Sequence, residues 1–171
     1  MEYSMTNKVA ESGLVTLDLE VYYPKSGIEL FDLKKFLFMG LILKEKDYRE
    51  ALKLYDFSIY QNQYVGITCS ADAIIPMWAF MLATSYIQPF AKEVFFGDEA
   101  TVKQKVFLHN IVSIATDQYY DKRVVIKGCG ELPISESAYI AITQILRPVA
   151  KSIMFGEPCS TVPIYKKPKE I

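Results

Sequence analysis

The chain has 171 residues, 51% apolar and 13% aromatic, with 19 Lys and Arg against 20 Asp and Glu. That length buries a sizeable core as a single domain, and the near-zero charge balance leaves no basic footprint for nucleic acid. The longest apolar stretches, Phe36–Leu43 and Ile74–Ala83, fall short of the roughly 20 residues of a membrane span, and Met1–Glu11 lacks the apolar core of an export signal, so a cytoplasmic protein with no membrane or nucleic-acid partner is expected.

Residues Gly13–Pro24 alternate, with Val15, Leu17, Leu19, Val21 and Tyr23 on one side and Thr16, Asp18, Glu20 and Tyr22 on the other. Period two with β-branched and aromatic content predicts a half-exposed strand. Pro24-Lys25-Ser26-Gly27 is a turn signal, and Ile28–Phe31 returns as the partner strand of an N-terminal β-hairpin. Asp32 then stands as a helix N-cap. The stripe Leu33, Phe36, Leu37, Gly40, Leu41 and Leu43 follows helical spacing, and Tyr48, Ala51, Leu52 and Leu54 continue it past the solvated charge run Lys44–Asp47. Residues 1–56 thus form an N-terminal strand and helical extension.

From Tyr60 the pattern changes. Residues 60–102 read as one βαβ unit: strand Gln63–Thr68, a long apolar helix Ile74–Phe90 and strand Glu93–Phe96. Residues 103–162 supply a third helix, Val102–Ala115 in its full extent, and a second βαβ unit: strand Arg123–Lys127, a helix capped by Ser135 with Glu136 in its first turn, and strand Ser152–Phe155. Residues 163–171, with Lys166, Lys167 and Lys169, read as a solvated tail. Strands alternating with helices predict an α/β fold: one domain with a parallel sheet of about four strands, built from two tandem βαβ units and covered on both faces.

The two units repeat. Ile87–Gly97 aligns with Leu146–Gly156, with Pro89/Pro148, Ala91/Ala150, Lys92/Lys151, Phe96/Phe155 and Gly97/Gly156 identical. Upstream, Tyr60 and Cys69 match Tyr120 and Cys129 at the same separation of nine. If the first strand of each unit is central, the order is 2-1-3-4. Cys69 and Cys129 then end adjacent strands at the topological switch point, where open α/β sheets bind ligands. Cys159, in a longer loop after the last strand, has no counterpart in the first copy.

Three cysteines with wide spacing and a single histidine, His109, exclude a CxxC knuckle and a His-rich zinc site, and disulfides are not expected in such a chain. One reading gathers Cys69, Cys129 and Cys159 around a metal or iron–sulfur cluster, since soft thiolates select zinc, Cu(I) or such clusters and three ligands leave a position open. Ser70, Gly128, Gly130 and Ser160 would bring backbone N–H groups to the cofactor, and Asp72, Asp98, Glu131 and Glu157 would back the ligands. A second reading has three ordinary thiols in a cofactor-free interaction or homodimer module. A third is a thiol enzyme with Cys69 or Cys129 as nucleophile. It lacks an evident base, because His109 sits within the third helix and Asp72 is best explained as a cap. Gly128-Cys129-Gly130 is not a GxGxxG sequence and no P-loop occurs. Trp78 and Tyr86 read as core or interface.

The strings Ser12-Gly-Leu-Val-Thr-Leu-Asp-Leu19, Gly40-Leu-Ile-Leu-Lys-Glu-Lys-Asp47, Cys69-Ser-Ala-Asp-Ala-Ile-Ile-Pro76, Val124-Val-Ile-Lys-Gly-Cys-Gly130 and Gly156-Glu-Pro-Cys-Ser-Thr-Val-Pro163 resemble a bacterial family of unknown function, domain of unknown function 2480, found mainly in the Bacteroidetes. The resemblance covers nearly the whole chain. It implies a bacterial cytoplasmic protein, and it carries over no activity and no catalytic residue.

Overall fold

Tyr64–Thr68 and Arg123–Ile126 are nearly uninterrupted apolar runs, and Val65, Ile67, Val124, Val125 and Ile126 within them are buried. Such runs suit strands covered on both faces, and each becomes an interior strand with a parallel neighbour on either side. The computed structural model of the protein describes residues 13–25, 27–127, 130–157 and 159–168. Its elements are β1 (Leu14–Leu17), β2 (Ile28–Asp32), β3 (Leu37–Phe38), β4 (Ile42–Leu43), α1 (Glu45–Leu54), β5 (Tyr64–Thr68), α2 (Met77–Ile87), β6 (Glu93–Phe96), α3 (Glu99–Val112), β7 (Arg123–Ile126), α4 (Glu136–Leu146), β8 (Ser152–Glu157) and β9 (Ser160–Lys166).

The chain divides into two compact units: a central one, Pro24–Val106, and a terminal one, Met1–Tyr23 with Phe107–Ile171. The central unit holds an all-parallel sheet of order β2-β5-β6. The terminal unit holds a mixed sheet of order β1-β7-β8-β9, in which β9 runs antiparallel to β8. The expected single four-stranded parallel sheet is therefore two sheets. The expected hairpin does not form either: β1 and β2 separate, and each becomes the parallel neighbour of a distant strand, β7 or β5. A turn sequence with alternating residues on both sides signals a hairpin, yet parallel pairing leaves no local mark of its partner. The 163–171 tail is corrected as well, since Pro163–Lys166 belong to edge strand β9.

The helix expected after Asp32 is instead a short 3-10 turn, Leu33–Phe36, followed by the β3–β4 ribbon. Met39 and Gly40 take φ of 52° and 72°, and Leu41 N–H donates to the Phe38 carbonyl at 3.1 Å. Two consecutive left-handed residues form a tight turn that no helix accommodates. The apolar spacing fitted a helix, but Met39, Leu41 and Ile42 are exposed.

A displacement of 59 positions maps most of one sheet onto the other. Tyr64 pairs with Glu93 and Arg123 with Ser152. Helices α2 and α4 superpose in sequence from Met77/Glu136 to Ile87/Leu146, and their buried stripes coincide: Ala79/Ala138, Ala83/Ile142 and Ile87/Leu146. Thr84 and Thr143 each donate Oγ1 to the carbonyl one turn back, at 2.8 and 2.7 Å. Phe80 meets Phe96 edge-on at 5.6 Å, and Tyr139 meets Phe155 likewise at 5.5 Å. Gly97 and Gly156 leave β6 and the bend of β8 with φ of 141° and 123°, a region closed to other residues. The repeat also extends upstream, since β1 and β2 occupy the same place in their sheets and lead into 3-10 turns capped by Asp18 and Asp32. The register corrects the expected upstream match. At a 59-residue offset Tyr60 corresponds to Tyr119, not Tyr120.

Around this shared frame the cores differ. The central unit packs an aromatic cluster on its sheet, with Phe31 5.2 Å from Phe36 and 5.4 Å from Tyr55. There the buried Tyr48 hydroxyl donates to the Ala79 carbonyl at 3.2 Å, and burial raises its pKa. The terminal core is aliphatic, built on Leu17, Val124, Ile126, Ile142, Leu146 and Ile153, with Phe107 and Ile111 of α3 added.

Candidate ligand clefts at the carboxyl edges of the two sheets

Side chains at the carboxyl ends of parallel strands face the gap before the next helix, the usual ligand position in open α/β sheets. Each unit has a cleft there, and the clefts are equivalent under the repeat. In the central unit Thr68 and Cys69 end β5, Ala73 and Ile75 come from the following loop, and Met77, Phe80 and Met81 descend from α2 to Phe96 of β6. They enclose about 650 Å³. In the terminal unit Lys127 stands in place of Thr68, Leu132 in place of Ala73, Ile134 in place of Ile75, Tyr139 in place of Phe80 and Phe155 in place of Phe96. Asp18 and Glu20 complete a cleft of about 480 Å³.

The substitutions change the chemistry. In the terminal cleft Lys127 Nζ lies 2.8 Å from Asp18 Oδ2. This contact holds the Asp18 carboxyl below the usual carboxylate range and raises the Lys127 ammonium, with Glu20 and Glu157 adding smaller fields. Glu20 Oε1 accepts the Leu132 N–H at 2.6 Å and closes the other side, with Gly130 leaving room for its carboxylate. In the central cleft the matching carboxylate, Asp32, turns elsewhere. It accepts from Ser70 N–H and Oγ at 3.0 and 2.6 Å, and from Lys34 N–H at 2.9 Å. Partial burial pushes its pKa up, and these bonds outweigh that and hold it low. Among the described residues that line the central cleft none is charged, the Lys105 ammonium lying 6.0 Å over the Phe96 ring at its edge, and Met77, Met81 and Phe96 remain 73, 72 and 64% exposed around it.

Two of the three thiols fall among the described residues, and they follow strands of different sheets. Cys69 follows β5 in the central sheet, half-buried, with its thiol 3.7 Å from the Ala71 carbonyl. Cys159 is exposed in the β8–β9 turn of the terminal unit. Cys129 and Gly128 lie outside the described residues. The 2-1-3-4 order on which the shared site rested does not occur, and among the described residues no group of three or more His, Cys, Asp or Glu is placed to hold a metal. Ser70 serves Asp32, and Ser160 opens β9. Asp98 caps α3 through the Thr101 N–H at 2.8 Å. Asp72 and Glu131 are exposed. Trp78 packs in the central core, 6.2 Å from Tyr48.

Sequence reasoning passed over Asp18, Lys127, Tyr139, Met77, Met81 and Phe80. One signal for them was present. Leu17-Asp18-Leu19 and Phe31-Asp32-Leu33 repeat, and aligning them would have drawn both N-terminal strands into the duplication.

No helix among the described residues is long and apolar enough to cross a membrane. The family model described as protein of unknown function (DUF2480) matches residues 3–167. No curated protein and no solved structure matches the chain.

Proposed function

We propose that this chain, which belongs to the DUF2480 family, is a binding protein for a small, mainly apolar molecule held in the central cleft. The observation that carries the reading is the contrast between two equivalent clefts. The frame that an ion pair fills in the terminal unit stands open and apolar in the central one. Its volume lies within the roughly 300–1,000 Å³ of ligand pockets, which are mostly apolar with a few polar groups. Thr68 and Cys69 supply those polar groups at the strand end. Met77 and Met81, one turn apart on α2, give flexible and polarizable walls that adapt to aliphatic or ring-shaped ligands. Exposed apolar side chains around a concavity mark a binding surface.

The neutral dye N-phenyl-1-naphthylamine provides the test, read both by its own emission and by the emission of Trp78, the single tryptophan. The native protein should bind one equivalent, and Met81→Glu, at an exposed position, should weaken binding about tenfold or more by placing a charge against the apolar site. Failure of the folded protein to bind the dye, or equal binding by Met81→Glu, would overturn the reading. Light scattering in parallel separates the homodimer alternative. Self-association abolished by Met81→Glu would assign the surface to a second copy instead.

A further inference from the structure

The terminal sheet carries a second concavity at its opposite end, beyond the amino ends of β7 and β8. It encloses about 700 Å³, and its walls include Arg123, Lys151, Lys166 and Lys167 against a single carboxylate, Asp121. All four cations are exposed. Although the chain's charges nearly balance overall, four like charges in one groove repel one another, and one carboxylate does not offset them.

The repeat shows that this groove is not a feature of the shared frame. In the central unit the matching positions are Asn62, Tyr64, Lys92 and Glu93. There the one cation, Lys92, lies 4.5 Å over the Tyr64 ring, and Glu93 balances it. Strand β9, which has no counterpart in the central sheet, brings Tyr165 and Lys166, and Lys167 follows it. The Tyr165 ring is held under the Arg147 guanidinium at 5.1 Å and, with Met154 and Pro163, gives the groove an apolar wall. Lysines on an edge strand also discourage strand-to-strand aggregation. That role accounts for Lys166 and Lys167 but not for Arg123 and Lys151, which open the interior strands β7 and β8.

We propose that this groove binds a small molecule bearing a phosphate or diphosphate group, with the cations on the anion and the Tyr165 wall against the remainder. Charge-assisted contacts from Arg and Lys suit phosphate oxygens, and the volume fits a small molecule better than a stretch of polymer. Calorimetric titration of the full chain with inorganic pyrophosphate and with phenyl phosphate, at fixed ionic strength, tests it. Both should bind saturably at one site, phenyl phosphate showing whether the apolar wall contributes. Arg123→Gln, Lys151→Gln and Lys166→Gln should each weaken pyrophosphate about tenfold, whereas Lys46→Gln on α1 should leave it unchanged. Three results would overturn the proposal. One is heat that follows ionic strength alone, or falls equally with Lys46→Gln. Another is aggregation of Lys166→Gln with its affinity intact, which assigns the lysines to edge protection. The third is binding of a single-stranded oligonucleotide without binding of either small probe, which assigns the groove to a polymer.

Discussion

The central and terminal units share one frame and use its carboxyl edge differently. Most helix positions that touch the sheet are held in step: Ala79/Ala138 and Ile87/Leu146 of the buried stripe, the Thr84/Thr143 back-bonds and the aromatic pairs ending in Phe96 and Phe155. Positions that face the gap beyond the strands have diverged, as Thr68/Lys127 and Ala73/Leu132 show. Close packing tolerates little change in volume, whereas loop-facing positions answer mainly to what occupies the gap. The comparison therefore separates scaffold from site without reference to any relative.

The largest effects should come from breaking the shared stripe. Ile87→Ala and Leu146→Ala are equivalent, fully buried truncations, and each should cost about 2–5 kcal/mol in urea unfolding. A loss at only one of them would show that the two units are not supported in the same way. A smaller effect of opposite sense to the usual one is expected at Gly66, whose counterpart is the buried Val125. A Cβ at Gly66 would sit 2.8 Å from both Leu30 Cδ2 and Val102 Cγ2, and 2.9 Å from the Gly97 carbonyl. Gly66→Ala should thus destabilise by about 1–3 kcal/mol, although Gly→Ala at an unstrained site stabilises. Equal or greater stability by the same measurement would place the α3 wall farther from β5.

Binding sharpens the comparison further. Converting the terminal lining to an uncharged one like the central, with Asp18→Asn, Glu20→Gln, Lys127→Thr, Leu132→Ala and Tyr139→Phe together, should raise dye stoichiometry from one to two per chain. A value that stays at one would mean that lining alone does not distinguish the clefts. The smallest effect belongs to the ion pair. The Asp18 pKa is lowered in the folded chain, so its contribution is present above the unfolded value of about 3.9 and is lost as pH falls through the folded value. The stability difference between the native chain and Asp18→Asn should therefore be full at pH 7 and shrink below roughly pH 4. The Lys127 pKa is raised, so at the alkaline end the contribution fades as pH rises through that value. A difference unchanged at acid pH would remove Asp18 from the pair.

Local pattern alone determined a good deal. β6 and β8 were located by their apolar runs, α4 by its cap at Ser135 and its stripe, and the duplication by the Pro–x–Ala–Lys and Phe–Gly identities at 59-residue spacing. These features rest on periodicity and on residues with restricted backbone choices, which act within a few positions of themselves. Which strands pair was decided only by tertiary structure. β1 joins β7 across more than a hundred residues and β2 joins β5, and the energy of such pairing comes from apolar burial on both faces, which many registers satisfy equally well in sequence. The site followed from that choice. With β5 and β8 in separate sheets the 2-1-3-4 order behind the three-cysteine reading does not form, and the pairs Lys127 with Asp18 and Ser70 with Asp32 are residues that only chain folding makes neighbours.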